Sequence, residues 1–326
     1  MRVFVTGASG FVGRHLVRAL VAGGHDVVGW RRSTSRTEPL DGTRIRWVTG
    51  DLGDATALAS AMEGCEGVFH VAGLIDYDPK RDDDLVRTNV LGTRAVVAAA
   101  LRAGVRRLVH TSSIAACAHT ASGVVLDEAA PWNSAPLDVG YFTTKHLAEL
   151  EVMSAAAHGL DAVIVNPGSI FGPESGGNSE DFLVSLARRR VPAAPHGGTT
   201  CVGVRDVVRG HLAALERGRR GERYVLGGEN LSWSALFALA AEALGVRPPS
   251  WSIPRPLGRF AAAALDGASA LGIPTGAVTG PGLRALGVFL YFDSAKAARE
   301  LGYAPAPMHE VLRETVEDLR RRGRVA

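Results

Sequence analysis

The sequence predicts an α/β protein with a doubly wound parallel sheet and a smaller C-terminal region. Two observations lead to this prediction. Short β-branched runs alternate with longer alanine- and leucine-rich segments along the first half of the chain, which is typical of parallel βαβ units. Two of the runs, residues 3–5 and 162–165, are continuously apolar, as expected of strands that are buried on both faces of a sheet.

The first half divides into six predicted strands and four predicted helices. In the first helix, apolar residues recur at helical spacing, and Gly23-Gly24 ends it. The predicted strands are residues 3–6, 26–30, 44–49, 67–71, 107–111 and 162–166. The predicted helices are residues 13–22, 56–62, 85–103 and 141–157.

The pattern becomes less regular after Pro173, where glycine and proline are frequent, as in residues 192–198 and 246–256. We therefore predict a dinucleotide-binding domain over residues 1–173 and a mixed substrate-binding region over residues 174–326, some segments of which return to the first sheet. Open α/β sheets bind ligands beyond the carboxyl ends of their strands, so we expect this region to cover that edge.

Composition excludes several classes of protein. Lys and Arg number 36 and Asp and Glu 33, a net charge of +3, which is too small to indicate a nucleic-acid partner. The sequence opens on a strand rather than a signal peptide and has no apolar run of about 18 residues to cross a membrane. Cys65, Cys117 and Cys201 lie far apart and predict neither disulfides nor a metal site. We expect a cytoplasmic protein.

A glycine-rich turn follows the first strand. Thr6-Gly7-Ala8-Ser9-Gly10-Phe11-Val12-Gly13 joins this strand to the first helix, with glycines in a GxxGxxG pattern. Such glycines permit a tight turn, close backbone approach to a pyrophosphate and close helix packing, and the helix N-terminus attracts the anion. We predict a Rossmann-type nucleotide site here, with cofactor contacts from Gly7, Ser9, Gly10, Phe11, Val12 and Gly13.

The end of the second strand indicates which cofactor is bound. An acid there favours NAD and an arginine NADP. This sequence has Arg31 and Arg32 and no acid, and guanidinium groups pair well with phosphate. We predict NADP, with NAD as the alternative. After the third strand, Asp51 is expected to accept from the adenine amino group, with Leu52 beside it.

Tyr141 and Lys145 are the candidate catalytic pair. Residues four apart share a helix face, and an ammonium beside a phenol favours the phenolate, which would lower the tyrosine pKa from about 10. Such a tyrosine exchanges protons with a carbonyl or hydroxyl group near neutral pH. Ser113, just beyond the fifth strand, is expected to donate to the same substrate oxygen, and residues 166–173 follow the sixth strand beside the nicotinamide.

Together these motifs resemble the extended short-chain dehydrogenase/reductase family, also called the NAD-dependent epimerase/dehydratase family, over nearly the whole chain. Three departures are Gly73 for alanine, Asn166 for arginine and Phe171 for tyrosine. The matching segments are TGxxGxxG at residues 6–13, Asp51, HxAA at 70–73, NVxGT at 89–93, the serines at 112–113, YxxxK at 141–145, RPxxVYGP at 166–173, VxDV at 204–207 and C-terminal segments at 292–296 and 300–303.

The resemblance implies roles for individual residues. Tyr141 would be the acid/base and Ser113 would polarise the substrate oxygen, while Lys145 would tune Tyr141 and bind the nicotinamide ribose. The remaining implied cofactor contacts are Val71, Ala72, Gly73, Asn89, Ser112, Pro167, Gly168 and Ser169. The chain most resembles members of the dihydroflavonol-4-reductase type, in which an arginine at the place of Arg32 binds NADP. Members often form homodimers through the YxxxK helix and the helix before it.

Three functions remain open at this point. The first is an NADP-dependent oxidoreductase that reduces a ketone, or oxidises the alcohol, of a moderately apolar small molecule. The second is a nucleotide-sugar epimerase or dehydratase that retains its cofactor; dehydratases need an acid pair beside the serine, and the apolar residues 114–117 argue against one. The third is a non-catalytic nucleotide sensor. Members of that kind lose the tyrosine or the lysine, and this chain keeps both.

Overall fold

Seven parallel strands form the central sheet of the protein. The computed structural model describes residues 1–274 and 278–326; residues 275–277 of the predicted substrate-binding region lie outside the described residues. The strands are β1 Arg2–Thr6, β2 Asp26–Arg31, β3 Ile45–Thr49, β4 Gly67–His70, β5 Arg107–Thr111, β6 Ala162–Pro167, β7 Ser169–Phe171, β8 Gly198–Gly203, β9 Arg223–Leu226, β10 Glu229–Ser232 and β11 Phe289–Leu290. The central sheet has the order β3-β2-β1-β4-β5-β6-β9.

Helices cover both faces of this sheet. They are α1 Phe11–Ala22, α2 Ala55–Met62, α3 Asp82–Leu85, α4 Gly92–Arg102, α5 Gly140–Ala157, α6 Asn178–Ala187, α7 Val204–Arg217, α8 Trp233–Leu244, α9 Arg255–Ala270, α10 Gly280–Leu286, α11 Ala295–Leu301 and α12 Met308–Arg321. None of those in the described ranges combines the length and apolar character that crossing a bilayer requires. The doubly wound α/β fold is confirmed.

The alternation of side chains along a strand explains the two layers. Val3 and Val5 pack with Leu16 in a core that also contains α7 and α11. Phe4 packs on the opposite face with Val96, in a core that contains α2 and α5. Successive side chains of a strand point to opposite faces, and here both faces are buried. This is why the parallel strands read as continuous apolar runs.

The second half of the chain is more regular than predicted. β8 is central to a second sheet, where it pairs with β10 antiparallel and with β7 and β11 in parallel. α6, α8 and α12 pack beside this sheet around a third core. β9 lies in the central sheet next to β6. Proline and glycine lie between these elements and not within them. The prediction of a less regular region did not allow for this.

The predicted helix over residues 85–103 is wrong in its start and its continuity. The helical segment begins at Asp82, and a π-helical stretch, Val86–Leu91, lies between α3 and α4. The hydroxyl of Thr93, in the first turn of α4, donates to the carbonyl oxygen of Asn89 in this stretch at 2.5 Å. Both side chains are buried, and Asn89 faces the loop after β4. Such π-helical turns recur at functional sites.

Candidate active site

The glycine turn after β1 has almost no room for side chains. Gly7 has φ +65°, and a Cβ there would lie 2.6 Å from the backbone nitrogen of Ala72, in the loop after β4. A Cβ at Gly13 would overlap the carbonyl oxygen of Gly7. The amide of Gly10 donates to that same carbonyl at 2.9 Å. The first and third glycines are therefore required by contacts within the protein itself.

The N-terminus of α1 has the properties of an anion site. Gly10 is its N-cap, no side chain of the described residues caps the helix, and its first turn contains no acidic residue. The first-turn amides of a helix have no intrahelical partner and sit at the positive end of its dipole. Ser9 precedes this turn, and Phe11 and Val12 form it. The cradle fits the pyrophosphate of a dinucleotide.

The two arginines at the end of β2 differ in their surroundings. The Nε of Arg31 donates to the Thr49 hydroxyl at 3.2 Å, and its guanidinium lies 5.6 Å from the centre of the Trp47 ring. Arg32 is exposed, and within the described ranges its guanidinium has neither a hydrogen bond nor an ion pair. Within the described part of the chain, Arg32 is thus the arginine whose guanidinium has no protein partner, and phosphate binding by either arginine stays a prediction.

Asp51 and Leu52 lie beyond the end of β3. The exposed Asp51 accepts a hydrogen bond from the Gly53 amide at 2.7 Å through one carboxylate oxygen. Leu52 packs against Gly92, where a Cβ would lie 2.6 Å from the leucine side chain. The remaining Asp51 oxygen can accept a further hydrogen bond, as expected of an adenine contact.

The loop after β4 is fixed by polar groups around it. Val71 and Ala72 donate to the carbonyl oxygen and the hydroxyl of Thr6, at 3.3 and 3.2 Å. Asn89 accepts from the Leu74 amide at 2.8 Å and donates to the Leu74 carbonyl at 3.0 Å. The Asn89 carboxamide is thus engaged with protein groups, and its place next to Gly73 makes it a support for this loop.

His70, at the end of β4, is buried, and both of its ring nitrogens make hydrogen bonds within the protein. Its ring nitrogens lie 2.7 Å from the Thr6 hydroxyl and 3.0 Å from the Thr93 hydroxyl. Burial lowers the pKa of His70 to about 3. The ring is therefore neutral, and it acts as a structural link between β1, β4 and α4.

Ser113, Tyr141 and Lys145 come together at the carboxyl end of β5. The Ser113 hydroxyl accepts from the Ala115 amide at 3.2 Å and interacts with the Tyr141 phenol. The Lys145 Nζ donates to the carbonyl oxygen of Thr111 at 2.8 Å. It also lies 3.9 Å from where a Cβ of Gly73 would be. The structure thus unites the three predicted catalytic side chains with the β4 loop.

The expected lowering of the Tyr141 pKa is wrong for the protein chain itself. Tyr141 is 7% exposed, and burial raises the pKa of its phenol, while the interaction with Ser113 acts in the opposite direction. Burial also lowers the pKa of Lys145 to about 8, partly offset by Glu149. The ammonium is directed at Thr111, so in this arrangement desolvation dominates over attraction between ammonium and phenolate.

The segment after β6 connects the two sheets. Gly168 donates to the Leu226 carbonyl at 3.2 Å, and a Cβ on it would overlap the main chain of Thr200. The hydroxyls of Ser169 and Thr199 lie 3.1 Å apart. Pro167 ends β6 and is buried. This segment therefore holds the substrate-side sheet against the end of β6.

Ser112 has a buried hydroxyl without a hydrogen-bond partner among the described residues, although its amide donates to Val165 at 2.8 Å. An unpaired buried polar group is costly, which fits a role in holding a ligand at this edge. Over the described part of the chain, no group of three or more His, Cys, Asp or Glu side chains is placed to bind a metal ion.

Two features of the site were not predicted. The Tyr77 ring stands edge-on to Tyr141, with ring centres 5.9 Å apart, and the Tyr77 carbonyl accepts from the Thr279 hydroxyl at 2.7 Å. Tyr77 lies in a loop and belongs to none of the sequence motifs, so the sequence did not indicate this contact. The second feature is Glu149, which is fully buried one turn beyond Lys145; its four-residue spacing from Lys145 is a signal that was present in the sequence.

A parallel sheet, an uncapped glycine turn and a Ser-Tyr-Lys group at the sheet edge define an NAD(P)-dependent enzyme of the extended short-chain dehydrogenase/reductase type. Residues 3–227 match the NAD dependent epimerase/dehydratase family. The chain belongs to this family.

Two named relatives support this family assignment. A Synechocystis protein named "Putative dihydroflavonol 4-reductase" is 37% identical over 99% of this chain and 95% of its own length. A Stigmatella aurantiaca ketoreductase of a farnesyl-dihydroquinoline-1-oxide is 33% identical over 95% of this chain and 94% of its own.

Two solved structures are similar over almost the whole chain. The structure of gox2253 has a TM-score of 0.89 and 34% identity, covering 99% of each chain. The dTDP-glucose 4,6-dehydratase DesIV of Streptomyces venezuelae, solved as a double mutant with NAD bound, has a TM-score of 0.80 and 25% identity over 100% of this chain and 99% of its own.

Proposed function

We propose that this protein is an NADP-dependent oxidoreductase that reduces a ketone, or oxidises the corresponding alcohol, of a moderately apolar small molecule. The observation that carries the proposal is the meeting of Ser113, Tyr141 and Lys145 at the end of β5, inside a cluster of apolar side chains. When bound, the reduced cofactor supplies a hydride, and the protein must supply a proton to the resulting alcohol.

Tyr141 is the proton donor in this proposal, and Ser113 orients the substrate oxygen. The Ser113 oxygen already accepts from the Ala115 amide, so its own O–H is available to donate to a carbonyl oxygen. A buried phenol with a raised pKa is protonated at neutral pH, as a proton donor for ketone reduction must be.

Lys145 is the group that holds the nicotinamide ribose. An ammonium has three N–H donors, and one of them is engaged by the Thr111 carbonyl. The other two remain for ribose hydroxyls, next to the loop containing Gly73. The hydrogen bond to Thr111 fixes the direction of the side chain, which favours binding without further loss of side-chain freedom.

The preference for NADP rests on Arg32. It is exposed and without a partner among the described residues, whereas Arg31 is held by Thr49 and Trp47. A guanidinium in this position pairs with the 2′-phosphate of NADP through charge-assisted hydrogen bonds.

The apolar character of the substrate is inferred from the apolar cluster to which Tyr141 belongs. Its other members include Leu74, Tyr77, Leu126, Leu137 and Val139. Residues 114–117, which follow Ser113, are apolar and buried. A charged nucleotide sugar would leave its phosphates without partners on such a surface, and the ketoreductase relative carries an isoprenoid group in its substrate name.

A panel of aliphatic and aromatic ketones, followed at the nicotinamide absorbance with NADPH and NADH in parallel, tests this function. Net oxidation of NADPH with a ketone supports the proposal. The alternative is a nucleotide-sugar epimerase or dehydratase, which similarity to DesIV favours. Turnover of a nucleotide sugar with no net change in the cofactor would support that alternative and contradict the reductase.

We also propose that the protein forms a homodimer through α4 and α5. Leu147, Leu150 and Met153 lie at spacings of three on α5 and are 39%, 46% and 39% exposed. Leu101 on α4 is 43% exposed. α4 and α5 pack against each other, and exposed apolar side chains on such a pair of helices are typical of a surface that a second subunit covers.

A further inference from the structure

Glu149 is a buried carboxylate that the proposed reaction does not use. It lies on α5, one turn beyond Lys145, with no exposed surface. One oxygen accepts from the Asn166 amide at 2.5 Å, and the other lies 3.4 Å from the Arg223 guanidinium. A buried carboxylate is unfavourable unless it is paired and hydrogen-bonded, and these two contacts meet that requirement beside the active site.

Asn166 connects Glu149 to the catalytic serine. Its Nδ2 donates to Glu149 and also to the carbonyl oxygen of Ser113, at 2.9 Å. The two N–H groups of one amide are therefore both engaged. These hydrogen bonds connect α5 through β6 to Ser113, two residues beyond the end of β5, and fix the main chain that carries its hydroxyl.

Glu149 is also the acidic neighbour of Lys145. The charges that act on the ammonium come from Glu149 on its own helix, and the ammonium in turn acts on His70 on β4 and His110 on β5. Arg223 on β9 lies on the other side of Glu149, 3.4 Å from its carboxylate. Burial lowers the pKa of both histidines, so they are neutral. The phenol of Tyr141 is protonated. Glu149 raises the pKa of Lys145 while burial lowers it.

We propose that Glu149 is a positioning residue of the active site, acting on Ser113 through Asn166 and on Lys145 through its charge. This rests on the proposed function of Tyr141 and Lys145. A residue that only held Asn166 in place would give the effect on Ser113 and not the effect on Lys145. The charge effect makes the ionisation of Lys145, and hence its hold on the cofactor, depend on a residue that touches neither substrate nor cofactor.

Glu149→Gln separates charge from shape, because glutamine keeps the size and an oxygen that can accept from Asn166. The readout is the dissociation constant for NADPH between pH 6 and 10. Ionisation of Lys145 should appear as a change of slope, here called the break, in the plot of this dissociation constant against pH. The break that belongs to Lys145 is the one that is absent in Lys145→Met. We expect Glu149→Gln to move this break down by about 1 pH unit or more, as loss of a neighbouring opposite charge does. An unmoved break would overturn the proposal.

Asn166→Leu tests the geometric part. It cuts the connection to Ser113 and leaves the carboxylate in place. We expect a lower kcat with the Lys145 break retained; a parental kcat would contradict the role of Asn166. Glu180→Gln is the matched control, because Glu180 is also buried and paired with arginines, Arg322 and Arg324, but on α6. It should lower stability without moving the break.

If Glu149→Gln does not fold, Arg223→Met gives a test of opposite sign. Loss of the guanidinium removes a cation that lies 3.4 Å from Glu149, so the carboxylate acts more strongly on Lys145 and the break should move up. A break that stays or moves down would contradict the proposal. If the proposed function of Tyr141 and Lys145 is itself wrong, the result is different, because Tyr141→Phe and Lys145→Met would then turn over at the parental rate. If both lose activity and no break moves, only the role of Glu149 is refuted.

Discussion

The Nζ of Lys145 donates to the main-chain carbonyl oxygen of Thr111 at 2.8 Å. The bond aims a lysine on α5 at the last residue of β5, where the serine loop begins. Lys145 is 5% exposed, so the protein buries an ammonium at the place where the cofactor ribose is proposed to bind. This relationship predicts a conflict between stability and activity.

Lys145→Met should stabilise the protein while it removes activity. The pKa of Lys145 is lowered to about 8 from an ordinary value of 10.5, so the unfolded chain binds more protons than the folded chain between these pH values. Stability therefore rises with pH across this window. At pH 7 we expect the variant to gain about 1–3 kcal/mol in the free energy of unfolding. Denaturant unfolding at pH 7 and pH 10 checks this, and a variant less stable than the parent at pH 7 would contradict it.

Arg32→Asp should reverse the cofactor preference. A charge-assisted hydrogen bond contributes about 1.5–3 kcal/mol, so we expect the dissociation constant for NADPH to rise about 10- to 100-fold, with NADH binding retained. Arg36→Asp is the matched control, because Arg36 is also exposed on the same loop. Equal losses in the two variants, or unchanged NADPH affinity in Arg32→Asp, would refute the assignment.

Gly13→Ala should disrupt the glycine turn. Its methyl group would overlap the carbonyl oxygen of Gly7, and a backbone atom cannot move aside as a flexible side chain can. Overpacking of this kind costs about 1–3 kcal/mol, and we expect weaker NADPH binding as well. Gly176→Ala, where a Cβ would meet nothing within 4 Å, is the control. Calorimetric melting and NADPH titration of both variants give the answer; equal behaviour would contradict the packing argument.

Leu150→Glu should separate the proposed dimer. Leu150 lies in the exposed apolar row on α5, and a charge buried in an interface without a partner is strongly unfavourable. Light scattering after size exclusion should show the monomer mass for this variant and the dimer mass for the parent. Val124→Glu, at a residue that is 58% exposed elsewhere, should remain dimeric. A monomeric parent would refute the dimer.

The central sheet could be predicted from sequence because burial on both faces leaves a local signal. The strand predicted at residues 162–166 is observed as Ala162–Pro167, and the one at 107–111 is unchanged. The second sheet was missed, since β7 and β11 have three and two residues and owe their pairing to distant segments. The π-helical stretch before α4 also escaped, because an extra residue in a turn does not disturb apolar spacing enough to be seen.

The grouping of the candidate catalytic side chains could be predicted from sequence, but their electrostatics could not, and their roles stay predictions. The motifs placed Ser113, Tyr141 and Lys145 together, and spacing alone suggested that the lysine would make the tyrosine acidic. The direction of the pKa shift depends on how far each group is buried and where the ammonium points, which the tertiary structure decides. Tyr77 reaches Tyr141 from a loop held by Thr279, a contact between segments about 200 residues apart.

Tyr141→Phe tests the central claim most directly. With a ketone reduced by the parent protein, we expect kcat to fall about 10²- to 10⁴-fold, the usual contribution of a positioned general acid, while NADPH affinity stays the same. Tyr303→Phe removes another buried phenol, outside the site, and should keep the parental rate. A Tyr141→Phe protein that reduces the ketone as fast as the parent would contradict the account.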